Sequence, residues 1–433
     1  MKSLIYKTAT FDSFIVGGQS IGTLDDGKKI MAWGVLPKET ASVRITKQKN
    51  TWVEGVIEEL ITPSLHRIKP TDPDSFLSTS PWQILAEDQE DLIKNRLVKE
   101  SFLQNDIVLP DFTEVHPTTK FYNYRNKVEF SWWWSNETQQ LDLAFFARGT
   151  HHKIPVDGTS LANEEINRVA RAFRDVLRSR HTEARSLKTL LIRSNHSNQC
   201  IAQLYVKDAD FALLRDQEIT DINAAGVEVI YSNPKSPASV ITKHLQQSGL
   251  PQLSDTLLET SFQYATEGFF QINLPVYGAA LKRMGKWINK ADSLVDLYSG
   301  VGSIGLTIGN GSKKITLVEQ NPSCVEEMKR NIAKFPSLNA RAILSSSEEA
   351  LQYIVSDAVI AVDPPRAGLH KKVIDRLLEE QPKTILYLSC NPATQARDIK
   401  LLLDGTDYAV VDAITYNFFP RTPHIEQLIV LQR

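Results

Sequence analysis

From residue 3 to residue 61, apolar and polar positions alternate in short runs. Ala41-Ser42-Val43-Arg44-Ile45 and Trp52-Val53-Glu54-Gly55-Val56-Ile57 follow the two-residue period of half-buried strands. Gly17-Gly18, Asp25-Asp26-Gly27 and Pro37-Lys38 punctuate them as turns. Short strands at this spacing predict a small OB-like β-barrel. Ser64 to Ser80, with Pro63, Pro70, Pro73 and Pro81 in or beside it, reads as an irregular connector. Glu87 to Phe102 has helical spacing, residues 122–134 and 141–146 read as strands, and Asn163 to Arg180 reads as a basic amphipathic helix. Thr189–Arg193 and Ile201–Val206 read as strands again.

Near residue 261 the pattern changes. Leu294–Leu297, Ile315–Val318, Ala358–Val362 and Thr384–Leu388 are short, continuous apolar runs with helical stretches between them. Strands buried on both faces read this way, and their alternation with helices predicts a doubly wound, Rossmann-like α/β domain. The expected organisation is a barrel over 1–62, an α+β domain over 63–260 and the α/β domain over 261–433, with the helix at 87–104 available to pack on the last. A chain of 433 residues is long enough for two or three such cores.

Composition adds bounds. With 42% hydrophobic and 23% charged residues the chain reads as a soluble globular protein. No apolar run approaches a bilayer span and the first residues lack the core of a signal peptide, so a cytoplasmic location and no membrane partner are expected. The formal net charge of -2 argues mildly against a nucleic-acid partner but leaves room for a local basic face. Cys200, Cys324 and Cys390 lie far apart and form no CxxC pair, against a disulfide framework and a structural zinc site.

Gly300-Val301-Gly302-Ser303-Ile304-Gly305 is a GxGxxG between a strand and a helix, and Glu319 ends the next strand, placed to bond ribose hydroxyls. Alone this pattern suggests NAD. Asp296, four residues before Gly300, argues otherwise. A carboxylate beside the glycine turn repels a pyrophosphate, whereas it favours the sulfonium and ammonium of S-adenosylmethionine (SAM).

Downstream, Asp363-Pro364-Pro365-Arg366-Ala367-Gly368 follows a strand, at the sheet edge where open α/β folds bind ligands. Taken alone, Asp363 is more often a turn residue or a helix cap. Cys390, in Ser389-Cys390-Asn391-Pro392, stands in a polar turn before a helix. Most buried cysteines are small hydrophobes, but this setting is expected to lower the thiol's pKa. Cys200 and Cys324 have no such setting. In Pro423-His424-Ile425-Glu426, just before the last strand, Glu426 is either a surface carboxylate or one that faces the Cys390 turn.

Together these segments resemble the RNA 5-methyluridine methyltransferase family. Its motifs stand in order as Phe269-Phe270-Gln271-Ile272-Asn273, Asp296 to Gly305, Asp363 to Gly368, Ser389 to Thr394, and Pro423 to Glu426. Weaker similarity runs through Tyr124-Arg125-Asn126-Lys127 and Phe145-Phe146-Ala147-Arg148, and the N-terminal stretch resembles the TRAM domain of the ribosomal RNA members. The resemblance implies that Gln271, Tyr298, Glu319 and Asp363 contact SAM, that Cys390 is the nucleophile and that Glu426 is the base. Phe270, Arg125, Lys127 and Arg148 become candidates for holding RNA, although each residue type also suits packing or solvated surface.

Two departures stand out. Many members carry four cysteines for an iron–sulfur cluster, whereas the corresponding segments here read Ser75 to Trp82 and Asp157 to Ser160. A cluster-free member is expected, with Trp82 and its neighbours filling the space. Ser345-Ser346-Ser347 stands where the family has an acidic contact. Competing classes are a cytosine-5 or amino-group methyltransferase and a non-catalytic RNA-binding assembly factor. Arg366 suits the amino-group class poorly, and Asp363, Cys390 and Glu426 are all present, against the assembly factor. The expected activity is therefore methylation of carbon 5 of a uridine in RNA, 23S ribosomal RNA ahead of transfer RNA and no DNA, by a monomer.

Overall fold

The computed structural model of the chain describes residues 4–110, 114–116, 120–288 and 291–433; Ser3, where the first predicted stretch begins, lies outside them. Residues 1–93, 120–251 and 419–424 form one compact unit, and residues 94–119, 252–418 and 425–433 form a second.

In the first unit, β1 (Tyr6–Phe14), β2 (Ser20–Thr23), β3 (Lys29–Trp33), β4 (Thr40–Gln48) and β5 (Trp52–Thr62) close into a barrel in the order β1-β2-β3-β5-β4. The alternation in the sequence is the barrel's inside and outside, with Phe11, Ile30, Ala32, Ala41 and Val43 sealed in its core. The connector that follows contains a short helix, α1 (Phe76–Thr79). It is tied down by the Asp72 carboxylate, which accepts from the Ser160 N–H and from the Ser160, Thr159 and Gln83 side chains. Trp82 is buried, its ring 4.9 Å from that of Phe14 and its Nε1 donating to the Gly18 carbonyl at 3.1 Å.

α2 (Glu87–Leu103) begins in this unit and ends in the other, before the short strand β6 (Glu114–His116). Next come β7 (Lys127–Ser135), β8 (Gln140–Phe146), β9 (Lys153–Val156), α3 (Glu164–Ser179), β10 (Leu187–Ser194), β11 (Cys200–Val206), α4 (Asp216–Ile222), β12 (Gly226–Tyr231) and β13 (Lys243–Gly249). The strands form one sheet in the order β13-β12-β11-β10-β7-β8-β9. Asn163 caps α3 by accepting from the Glu165 and Ile166 N–H groups. Ile166, Val169, Ala170, Phe173 and Leu177 then present one apolar stripe, packed with Phe130, Trp132, Leu190 and Leu204 of the sheet. The strand expected from residue 122 starts only at Lys127. Upstream, the Asn123 and Arg125 N–H groups bond the Ser160 and Leu161 carbonyls instead of a ladder.

The second unit contains the hairpin β14 (Leu253–Leu257) and β15 (Thr260–Tyr264), then α5 (Leu274–Gly285), β16 (Ser293–Leu297), α6 (Ser303–Ile308), β17 (Lys314–Glu319), α7 (Pro322–Ala333) and β18 (Ala340–Leu344). It continues with β19 (Ala358–Val362), α8 (Lys371–Glu380), β20 (Thr384–Ser389), α9 (Pro392–Asp404), β21 (Ala409–Tyr416) and β22 (Glu426–Gln432). The sheet runs β18-β17-β16-β19-β20-β22-β21-β6, parallel from β18 to β20 and antiparallel where β22 meets β20 and β21. The predicted fold class is borne out: a Rossmann-like α/β sheet, a small N-terminal barrel and an α+β region between. Among the described residues no helix is long and apolar enough to cross a membrane.

Candidate active site

β16 has β17 on one side and β19 on the other, so the strand order reverses beside its carboxyl end. Open α/β sheets hold ligands at such a point. The turn that leaves β16 is built in left-handed backbone: Tyr298 has φ +63°, Gly300 +56° and Gly302 +86°. A bulky residue in that region costs free energy, and such residues cluster at binding sites. Gly305 is needed for closeness, since a Cβ there would lie 2.3 Å from the Leu317 side chain. Its N–H donates to Asp296 Oδ2 at 2.9 Å. Asp296 is fully buried and its Oδ1 meets no hydrogen-bond partner. Glu319, at the end of β17, accepts from the Gly300 N–H at 3.0 Å and the Asn321 N–H at 2.8 Å, so it braces the turn from below.

A second group of candidate residues gathers where β19, β20 and β22 end or begin. Ser389 on β20 pairs with Gln427 on β22 as the last pair of that ladder; Cys390 follows Ser389, Glu426 precedes Gln427, and the charge of Glu426 acts on the thiol. β19 pairs with β20 in parallel through Val362 and Tyr387, and Asp363 leaves β19 beside that edge. α9 fastens the Arg366 loop: Asn391 Nδ2 and Thr394 Oγ1 both donate to the Arg366 carbonyl, at 2.9 and 3.1 Å. Asp398, buried in the same helix, accepts from the Leu369 N–H at 2.7 Å and from the Tyr387 hydroxyl at 2.8 Å.

This end of the site holds its protons. Burial pushes the Cys390 thiol up to about 11, the charges of Glu426 and Asp363 add to the rise, and Arg366 opposes it. The expected lowering of that pKa is therefore overturned: the thiol does sit before a helix N-terminus, but desolvation and two carboxylates outweigh it. Burial raises Glu426 well above the usual carboxylate range, with Asp363 adding and Arg366 opposing, and burial raises Asp363 too. Asp296 rises to about 8 through burial, against its bond from Gly305 and with help from Asp363 and Glu319.

The structure thus gathers Cys390, Glu426, Asp363 and Arg366 at one edge, and Asp296, Tyr298 and Glu319 at the neighbouring turn. Gln271 is buried just before α5. Tyr298 is half-buried, and its hydroxyl meets the Ser347 side chain, so the serine run replaces an acidic neighbour with a neutral one. Phe270 does not serve as an RNA contact: it is buried and stacked on Tyr264 at 4.3 Å. The exposed aromatic is its neighbour Phe269. Arg148 is occupied within the barrel unit, 3.9 Å over the Trp33 ring and donating to the Leu77 carbonyl. Cys200 and Cys324 are buried, as expected of structural thiols. Sequence reasoning missed Tyr277, a buried residue of α5 whose hydroxyl lies 2.8 Å from Ser303 Oγ in the charge field of Asp363, Asp296 and Glu426. Its place in an apolar helical stripe gave no signal.

The residues present fit SAM. Asp296, Asp363 and Glu426 are buried carboxylates with raised pKa values, two of them, Asp296 and Glu426, with an orphaned oxygen, and a cationic ligand relieves what a pyrophosphate would worsen. Glu319 keeps lone pairs for ribose hydroxyls beyond its two backbone bonds. Among the described residues no group of three or more His, Cys, Asp or Glu is placed to hold a metal.

Sheet order and glycine turn define a Rossmann-like methyltransferase. Residues 94–433 match the tRNA (uracil-5-)-methyltransferase family, and the chain belongs to it. It is a SAM-dependent RNA (uracil-5-)-methyltransferase. Similar proteins named "Uncharacterized RNA methyltransferase" occur in Lactobacillus johnsonii, 29% identical over 94% of both chains, and in Lactiplantibacillus plantarum, 28% identical over 94% of this chain and 93% of that one. The fold is shared with the Pyrococcus abyssi tRNA (uracil-54, C5)-methyltransferase in complex with S-adenosyl-L-homocysteine, with TM-score 0.78 and 20% identity over 98% of this chain and all of that one.

Proposed function

We propose that the protein methylates carbon 5 of a uridine through a covalent bond between Cys390 and carbon 6, with Glu426 as the base. The observation that carries this reading is the β20–β22 register, whose last pair, Ser389 and Gln427, is flanked by Cys390 and by Glu426, a carboxylate whose Oε2 meets no hydrogen-bond partner. Gln271, Tyr298, Glu319 and Asp363 would hold SAM, which supplies an electrophilic methyl group when bound.

Carbon 5 of uracil is a weak nucleophile. Addition of the Cys390 sulfur to carbon 6 moves electron density onto carbon 5, splitting one hard step into two easier ones. With its pKa pushed up to about 11, the thiol gives its proton to solvent as the sulfur adds, which leaves the Glu426 carboxylate for the later step. Once carbon 5 carries its methyl group, Glu426 removes the remaining carbon 5 proton. The electron pair then forms the carbon 5–carbon 6 double bond and expels the sulfur. Arg366 steadies both thiolate and carboxylate, since its charge favours the ionised form of each. The target base must leave its stack to reach the thiol.

The likeness of the N-terminal barrel to the TRAM domain of ribosomal RNA members supports ribosomal RNA as the first reading of the substrate; the cytoplasm as the site of action and a monomer as the acting form are part of the same proposal. One observation favours transfer RNA as a second reading. The Pyrococcus abyssi protein is named a tRNA (uracil-54, C5)-methyltransferase, and its match extends over 98% of this chain, the barrel included. Methyl-labelled SAM, unmethylated ribosomal and transfer RNA, and the Cys390→Ala variant test the whole reading. Label should enter one RNA class as 5-methyluridine and fall at least about 10⁴-fold in the variant. Methylation that survives in the alanine variant would defeat the covalent route.

A further inference from the structure

Cys390 and Glu426 adjoin the last pair of the β20–β22 ladder, Ser389 and Gln427, and one side chain outside the motifs ties those two strands to α9. Gln395 lies fully buried in the first turns of α9, five residues after Cys390. Its Nε2 donates to the Tyr387 carbonyl on β20 at 2.9 Å and to the Gln427 carbonyl on β22 at 3.0 Å. Both amide hydrogens are thereby used, while Oε1 meets no partner. Leucine would fill nearly the same volume without burying an unsatisfied acceptor, so packing gives no reason for an amide here.

The neighbouring bonds point the same way. Thr415 Oγ1 donates to Gln427 Oε1 at 2.7 Å, which fixes the side chain whose backbone Gln395 holds. Glu426, the next residue back, has no hydrogen-bond partner at Oε2, so its placement comes from the backbone on which it sits.

The geometry points to Gln395 as a positioning residue for the reaction, joining the helix behind the nucleophile to the strand that carries the base. This inference rests on the roles proposed above for Cys390 and Glu426. Misalignment should spare the sulfur's addition to carbon 6. It should slow the later step, in which the carbon 5 proton passes to the Glu426 carboxylate, the carbon 5–carbon 6 double bond forms and sulfur leaves as thiolate.

The test compares the full-length parent with Gln395→Leu, Gln395→Met and Glu426→Gln, using methyl-labelled SAM and uridine-containing transcripts. Two readouts are taken: steady-state kinetics, and covalent enzyme–RNA adduct on denaturing gels. Both Gln395 variants should lose about tenfold or more in kcat, keep KM for SAM within about twofold, and accumulate adduct as Glu426→Gln does. A merely structural role would lower stability without trapping the adduct. Turnover within about twofold of the parent in either folded variant overturns the proposal. So does loss of turnover without adduct where Glu426→Gln accumulates it. If Glu426→Gln itself traps no adduct, the role of Glu426 as base fails, and the alignment inference fails with it.

Discussion

Each of the two units buries charge, and in opposite ways. In the first, Glu90 and Arg421 are both fully buried and bond each other at 3.1 Å. Glu90 also accepts from the Arg421 N–H, and the guanidinium donates to the Trp82 and Leu85 carbonyls. Arg421 holds a left-handed backbone, φ +63°, inside this network. In the second, Asp296 and Glu426 are as deeply buried, but one oxygen of each lacks a partner and their pKa values are raised. A buried charge with its counter-charge and its hydrogen bonds holds the fold in place. Buried carboxylates left short of partners cost stability, and that cost falls when a cation or a proton arrives, which is what a site requires.

The sharpest way to break this contrast is to neutralise one carboxylate in each region. Glu426→Gln should lower kcat by about 10²–10⁴-fold, the usual worth of a positioned base, and leave the thermal midpoint unchanged or higher. A large fall in midpoint with turnover intact would make Glu426 structural after all. Arg421→Met should act in the opposite sense. Leaving Glu90 buried without its partner should cost about 3–5 kcal/mol in urea unfolding, and Glu90→Gln added to it should recover part of that loss. If the single variant is as stable as the parent, the pair is not the anchor its burial suggests.

The smallest effect sharpens the comparison through pH. Burial raises Asp296 from 3.8 to about 8, so the folded protein keeps this proton where the unfolded chain has lost it. Its contribution to stability is therefore complete below about pH 4, declines as pH rises through about 8, and stays low above that. Asp296→Asn should match the parent near pH 4 and melt a few degrees higher at about pH 8.5, since each tenfold change in proton affinity on folding is worth about 1.4 kcal/mol. Saturating SAM should erase that advantage by stabilising only the parent. An equal advantage at both pH values would show that the carboxylate's charge is not the cause.

The periodicity of α3, its Asn163 cap and its apolar stripe were legible because both signals are local. The early part of the strand expected from residue 122 was not, because the Asn123 and Arg125 N–H groups bond partners more than thirty residues away. Phe270 shows the same limit within the site. Its motif suggested contact with a ligand, and only the stack on Tyr264 shows that the exposed face belongs to Phe269.

The order of strands and helices, the glycine turn after β16 and the identity of every ionisable group near it were fixed by the chain itself, since they depend on residue type and short spacing. The protonation of those groups was decided by tertiary structure alone. The thiol of Cys390 looks activated beside its helix, yet burial and two carboxylates from distant strands push it to about 11. Desolvation and charge act through space, and the residues that exert them here, Asp363 and Glu426, stand 27 and 36 positions away along the chain.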